Sequence, residues 1–241
     1  MAIIRTVFVG LVLALAVLLF LPWFVVWSVL TGKPDLMYHL AMKIVRFANR
    51  CLGVRVHVEG LENVPRRACV FVANHASTLD PFALVPAIPQ RVGILAKQEL
   101  FRIPIFGTAM RVAQFVAVDR ADKESTTAAV PLAEQHMRNG VSYMIFPEGT
   151  RSADGRLRRF KRGAFTLAIG AGVPIVPVSI VGAHRLMPKC ESIAHPGDVT
   201  IRFGPAVDAS GYTLEQRNEL LDRVQSLVAA GLPPDQQPLP S

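Results

Sequence analysis

From Thr6 to Gly32 the chain runs for 27 residues without a charged side chain, dense in Leu, Val, Ala and Phe. At a helical rise of about 1.5 Å per residue this stretch reaches about 40 Å. The hydrocarbon core of a bilayer is about 30 Å thick. A cleaved leader would have a shorter apolar region ending at small residues, yet the run continues well past Ala14-Leu15-Ala16. Trp23 and Trp27 lie toward its C-terminal end, where interfacial tryptophans collect. The segment therefore predicts a membrane anchor. Pro22 leaves two forms open, a kinked helix or the apex of a re-entrant hairpin. Lys33, Lys43, Arg46, Arg50 and Arg55 follow the segment, against Arg5 before it; if the segment spans, the positive-inside tendency puts the rest of the chain on the cytoplasmic side of the cell membrane.

A second helix is expected over residues 35–52. His39, Lys43, Arg46 and Arg50 recur at spacings of 4, 3 and 4 on one face. Met37, Leu40, Ala41, Ile44, Phe47 and Ala48 fill the other. Such a helix suits the headgroup plane beside an apolar anchor, although an ordinary surface helix has the same pattern. Residues 1–52 thus read as a two-helix membrane anchor, 53–230 as an α/β domain, and the proline-rich 231–241 as a disordered tail. In the middle region short apolar runs alternate with helical patterns. Strands are expected at Val54–Val58, Cys69–Ala73, Val92–Ala96, Ala113–Val118, Tyr143–Phe146, Ile175–Val181 and Thr200–Phe203. Helices are expected at Pro81–Ile88, Lys123–Asn139 (with Pro131 inside it), Arg162–Ala171 and Leu214–Ala230. Continuously apolar strands between helices predict a mostly buried mixed sheet flanked by helices.

The 241-residue chain carries a net charge of +8 and is 51% apolar. That balance suits an anionic surface or anionic ligands; the apolar N-terminus favours membrane over nucleic acid. Cys51, Cys69 and Cys190 are far apart and form no CxxC or Cys/His cluster, so neither a disulfide framework nor a metal site is expected.

Two apolar runs stop abruptly at polar residues. In VFVANHASTLDPF, Asn74 and His75 end the first, and Asp80-Pro81 follows five residues after the histidine. Asp80 at N-cap with Pro81 at N1 explains the aspartate as a helix start. A chain reversal between His75 and Asp80 would also let the carboxylate fix the imidazole tautomer. In MIFPEGTRS the second run stops at Pro147. Gly149 permits close backbone approach to a ligand, and Arg151 offers a planar fork suited to phosphate. Six basic residues against one acid follow in Arg151–Arg162. There is no GxSxG, Walker A, GxGxxG or HExxH motif. A histidine base without a protein nucleophile must activate a hydroxyl of the substrate, or water.

Asn74-His75-xxxx-Asp80, followed about 70 residues later by Phe146-Pro-Glu-Gly-Thr-Arg-Ser152, resembles the glycerolipid acyltransferase family, and within it the bacterial lysophosphatidate acyltransferases. Lys97-Gln-Glu-Leu100, Phe115–Arg120 and Val173–Val178 resemble the family's other blocks. The resemblance implies that His75 takes the proton from the sn-2 hydroxyl of lysophosphatidate while Asp80 orients it. The hydroxyl oxygen then attacks the thioester of acyl-CoA or acyl-carrier protein, with no cofactor or metal. It implies that Glu148, Gly149, Thr150 and Arg151 hold the glycerol phosphate, with Lys97 and Arg120 as further contacts. Asn74 then either supports the histidine loop or helps bind the oxyanion. Partners would be membrane lipids, lysophosphatidate and the acyl donor, and not nucleic acid. Alternatives are another acceptor (glycerol 3-phosphate, a lysophospholipid or a lyso-ornithine lipid), a lipid hydrolase, and a non-catalytic lipid- or nucleic-acid-binding module.

Overall fold

The computed structural model describes residues 1–118 and 123–239. The uncharged run becomes one helix, α1 (Ala2–Thr31), which continues through Pro22 and ends at Gly32 in a left-handed conformation. The chain therefore turns at Gly32 and not at Pro22, which excludes the hairpin apex. The 17-residue α2 (Asp35–Cys51) follows. Among the described residues α1 is the one helix long and apolar enough to cross a membrane. Of the expected two-helix anchor, one helix is long and apolar, and the second is the shorter, amphipathic α2. The latter buries Met37, Tyr38, Ala48 and Asn49. The Asn49 amide donates to the Phe82 carbonyl at 2.9 Å, and Arg46 Nε donates to the Pro86 carbonyl at 3.1 Å. Arg46, counted on the solvated basic face, instead ties α2 to the domain.

The remaining elements run β1 (Val54–Glu59), β2 (Val70–Ala73), α3 (Asp80–Ala87), β3 (Val92–Lys97), α4 (Phe106–Val112), β4 (Val116–Val118), α5 (Lys123–Arg138), β5 (Ser142–Ile145), α6 (Gly163–Ala171), β6 (Ile175–Val181), α7 (Ala183–Leu186), β7 (Gly197–Phe203) and α8 (Arg217–Ala230). The strands form a seven-stranded sheet in the order β1-β7-β6-β2-β5-β3-β4. All pairings are parallel except β6 with β7. The sheet is mixed and covered on both faces, as the continuous apolar strands require. Side chains alternate across each strand. Val70 and Val72 of β2 face a core built with α5, α6 and α8. Cys69, Phe71 and Ala73 face the other, built with α2 and α3.

This topology places the site. β2 and β5 are parallel neighbours, yet the helix after β2 (α3) packs on one face and the helix after β5 (α6) packs on the opposite face. Two adjacent connections that part to opposite faces leave a crevice at the carboxyl ends of their strands, where open α/β sheets bind ligands. The residues that enter it are Asn74 and His75 from β2, and 146–151 from β5.

The tail also departs from expectation. Leu232 and Gln236 are buried. The Gln236 side chain accepts from Gly182 N at 3.1 Å and donates to Ile180 O, while its own carbonyl accepts from Leu157 N at 2.8 Å. Proline-rich composition predicts little regular hydrogen bonding, and the tail has a single turn, in which Gln236 N and Gln237 N donate to Pro233 O at 2.9 and 3.2 Å. The buried Gln236 amide between β6 and the 157 loop, together with Arg156 donating to Gln237 O and the Arg185–Asp235 ion pair, holds it in place.

Candidate active site

β2 ends at Ala73, paired with Val178 of β6. Beyond that pair the Asn74 side chain takes over the ladder. Its Nδ2 donates to Ile180 O at 2.9 Å, and its Oδ1 accepts from Ile180 N at 2.7 Å. Asn74 is buried, and both ends of its amide are committed to the backbone. The geometry thus favours loop support over oxyanion binding. Asn74→Ala leaves the Ile180 N–H without its acceptor in the interior, at about 1–3 kcal/mol for an unsatisfied buried group, and takes one of two donors from the Ile180 carbonyl, which keeps Gln236 Nε2. Chemical denaturation is expected to show a loss of about 2–4 kcal/mol. An unchanged stability with reduced turnover would return Asn74 to the reacting atoms.

His75 follows. Its Nδ1 lies 2.8 Å from Asp80 Oδ2. The same oxygen accepts the backbone N–H groups of Ala76 at 2.7 Å and Ser77 at 2.8 Å. Asp80 is the first residue of α3, with Pro81 after it, and its side chain makes no cap bond to that helix. The expected N-cap role is therefore corrected. The carboxylate points backward into the turn it closes, away from the helix it begins. Its charge is met by two backbone donors and by the ring N–H, and it is 1% exposed. The His75 ring stacks on Phe146, with centroids 4.1 Å apart and 14° between planes. With Nδ1 held by Asp80, Nε2 is the nitrogen that can accept a proton.

The segment after β5 grips the histidine backbone from both sides. Glu148 Oε1 accepts His75 N–H at 2.8 Å, and Ser152 N donates to His75 O at 2.7 Å. Glu148 is 4% exposed, and its Oε2 has no hydrogen-bond partner. Burial pushes its carboxyl up to about 8; the nearby Asp80 carboxylate pushes the same way, and the His75 N–H opposes. Glu148 thus lies under the histidine loop, where the sequence placed it among substrate ligands. Arg151 Nη1 donates to Thr78 Oγ1, inside the His75–Asp80 turn. Gly149 has φ +76°, and a Cβ there would fall 2.8 Å from Lys161 Nζ. Thr150 is exposed at the rim. Lys97 is exposed at the end of β3, on the same edge of the sheet. Arg120 lies outside the described residues.

An apolar cavity of about 180 Å³ opens beside this centre, lined among others by Ile94, Val118, Ala133, Phe146, Gly149 and Leu167. Lys161 also lines it. Reasoning from sequence singled out neither Lys161 nor Ser152. Lys161 was one of six basic residues in a run, and the backbone bond made by Ser152 has no side-chain signature.

The arrangement is an imidazole held by a buried carboxylate, beside an apolar cavity and a basic rim. A family model described as Acyltransferase matches residues 55–181. The chain is 37% identical over 174 residues to the chloroplastic 1-acyl-sn-glycerol-3-phosphate acyltransferase BAT2 of Brassica napus, covering 70% of this chain and 50% of that one. It is 33% identical over 178 residues to the 1-acyl-sn-glycerol-3-phosphate acyltransferase of Pseudomonas aeruginosa, covering 73% and 68%. The chain therefore spans about half the length of the plant relative. The crystal structure of the 1-acyl-sn-glycerophosphate acyltransferase PlsC of Thermotoga maritima superposes with a TM-score of 0.77 at 32% identity, covering 96% of each chain. From the matched residues and the shared fold, the chain belongs to the acyltransferase family.

Proposed function

We propose that this chain transfers an acyl group from a soluble thioester donor, acyl-CoA or acyl-carrier protein, to the sn-2 hydroxyl of lysophosphatidate, making phosphatidate. The observation that carries the reading is the His75 Nδ1 to Asp80 Oδ2 contact of 2.8 Å beside the apolar cavity. Asp80 fixes the tautomer and stabilises the imidazolium that forms. His75 Nε2 removes the hydroxyl proton as the oxygen attacks the thioester carbonyl. The tetrahedral intermediate collapses with loss of the thiolate, whose conjugate acid has a pKa near ~8.5, so departure needs little acid assistance. No acyl-enzyme forms. The cavity beside Phe146 receives an acyl chain. Arg151, Gly149, Thr150 and Lys97 lie at the rim, where they meet the acceptor phosphate, and Arg120 is assigned there by resemblance alone. Glu148 serves the same reaction by holding the histidine loop.

α1 supports membrane work. Thr6 Oγ1 accepts from Ala194 N at 3.1 Å near the start of β7, and Leu21, Phe24 and Val25 pack with Ala109, Val112 and Ala113 around α4. A helix docked near both of its ends lies along the domain and cannot project from it as a free span. Its outer face exposes Trp23, Trp27 and Leu30. We read α1, with α2 beside it, as entering one leaflet on the cytoplasmic side, which keeps the site at the headgroups of an acceptor that never leaves the bilayer.

Purified full-length chain in vesicles, given lysophosphatidate and radiolabelled acyl-CoA or acyl-carrier protein, is expected to form phosphatidate labelled at sn-2. Free fatty acid without an acylated lipid would instead establish a hydrolase. Labelling of a different lysolipid across an acceptor panel would move the acceptor assignment and leave the chemistry in place.

A further inference from the structure

Five consecutive residues, Arg102 to Phe106, are exposed between buried Phe101 and buried Gly107. Leu100, Ile103, Ile105 and Phe106 leave 38%, 47%, 44% and 37% of their surface open. The segment is firmly built. Phe101 is anchored in a core with Ala96 and Met110. Gly107 N donates to Ile103 O at 2.8 Å, and a Cβ at Gly107 would collide with the Phe101 carbonyl. Ile105 holds φ +65°, in a region that β-branched residues avoid. A fold that retains such a conformation while turning four large apolar side chains outward keeps them for a surface outside the chain.

We propose that Leu100–Phe106 is a second membrane-contacting element, whose side chains enter the same leaflet as α1. The inference rests on the reading of α1 as membrane-embedded. Continuity selects the bilayer over other occupants. α4 begins at Phe106, and its Ala109 and Val112 pack on Leu21, Phe24 and Val25 of α1. A surface that already places α1 in lipid carries this segment to the same boundary. The flanking cations agree. Lys97, Arg102 and Arg111 are exposed around the apolar side chains, with the Arg111 guanidinium over the Phe101 ring at 5.7 Å. That is the order of groups found where a protein meets anionic headgroups. The segment begins three residues after Lys97, beyond Gln98 and Glu99, at the end of the sheet that carries His75. Its insertion holds that edge against the headgroups, so a lysolipid reaches the base by lateral movement.

The test uses the full chain carrying Cys51→Ser and Cys190→Ser, with an environment-sensitive fluorophore on Ile103→Cys. Glu215→Cys, an exposed position preceding α8, is the control. With phosphatidylethanolamine–phosphatidylglycerol vesicles the label at 103 is expected to shift to the blue and to be quenched by brominated acyl chains, and the label at 215 to do neither. In addition, Ile103→Ser with Ile105→Ser should raise KM for vesicle-borne lysophosphatidate at least tenfold and leave turnover of a short-chain, water-soluble lysophosphatidate unchanged. A chain that sediments with vesicles while its label at 103 stays in water overturns this proposal alone. A chain that does not sediment with vesicles overturns it together with the membrane reading of α1. Shielding of the label that grows with protein concentration in the absence of lipid assigns the segment to a second copy, and also overturns it.

Discussion

Replacing His75 with alanine is expected to lower kcat for phosphatidate formation by about 10³ or more, with the fold and vesicle binding intact. A positioned general base contributes about 10²–10⁴ in rate. The upper part of that range applies because, among the described residues, no second free acceptor for the hydroxyl proton stands at this centre. Glu148 lies under the loop with its one bonded oxygen turned to the backbone. The imidazole is only 13% exposed, and its bonds to the rest of the protein run through Nδ1 and the Phe146 stack, so truncation leaves the β2 turn closed by Asp80, Ala76 and Ser77. Asp80→Asn is expected to fall by a similar factor for a different reason. The oxygen that faces Nδ1 also accepts the Ala76 and Ser77 N–H groups, so asparagine keeps its amide oxygen there and the tautomer with it; what is lost is the negative charge that stabilises the imidazolium as it forms. The measurements are steady-state turnover with both donors, thermal melting, and vesicle co-sedimentation. Transfer by His75→Ala at the unaltered rate would sink the general-base mechanism, whereas retained turnover by Asp80→Asn alone would reduce the carboxylate to a loop closure.

The parts of this centre legible in the sequence are those written in local pattern. Seven apolar runs became seven strands, because a strand buried on both faces has to be apolar at nearly every position. The seventh, expected from Thr200, begins earlier, at Gly197, since pairing with β1 extends it over residues whose side chains give no strand pattern. Ala113–Val118 shortened to Val116–Val118, because Gln114 takes φ +61° and only the last residues pair with β3. Helix α5 persists through Pro131 because packing of Ala129, Ala133 and Met137 outweighs the missing N–H. The juxtaposition of His75 and Asp80 was legible as a chain reversal. The direction of the aspartate was not. Asp-Pro at a helix start reads as a cap, and nothing in the adjacent residues shows that two N–H groups upstream compete for the same carboxylate and win. Burial of Glu148 was invisible for a deeper reason. It depends on β2 lying beside β5, and strand order is decided by the whole sheet. Asn74 is the same case, since its partner Ile180 is 106 residues away.

Glu148 carries the other large effect. In Glu148→Ala the His75 N–H loses its acceptor, the loop is freed on one side, and kcat is expected to fall about 100-fold, the cost of a displacement of roughly 1 Å in a reacting group. KM for lysophosphatidate should change little, because the side chain is buried beneath the histidine backbone. Glu148→Gln should retain activity within a few-fold, since its amide oxygen accepts the same N–H. The protonation state explains why the neutral replacement suffices. The charged and titratable groups facing Glu148 are Asp80 and His75 on the β2–α3 turn and Arg158 on its own loop; His184 of α7 couples to Asp80 instead. The Arg158 backbone N–H approaches the carboxyl without closing a hydrogen bond. One bonded N–H beside a second carboxylate is a poor setting for a buried anion, and the folded protein holds Glu148 neutral up to about 8, against 4.5 when exposed. The sign follows from linkage. Between those two values the unfolded chain has released the proton and the folded chain has kept it, so stability falls as pH rises through that window and levels off above it. Activity should decline above about 8, as the carboxyl ionises beneath the histidine loop. Glu148→Gln removes the group, so its melting temperature should lose that part of the pH dependence, and the alkaline limb of its turnover should move higher. Equal inactivity of the glutamine and alanine variants, with KM for lysophosphatidate raised in both, would place Glu148 on the substrate instead.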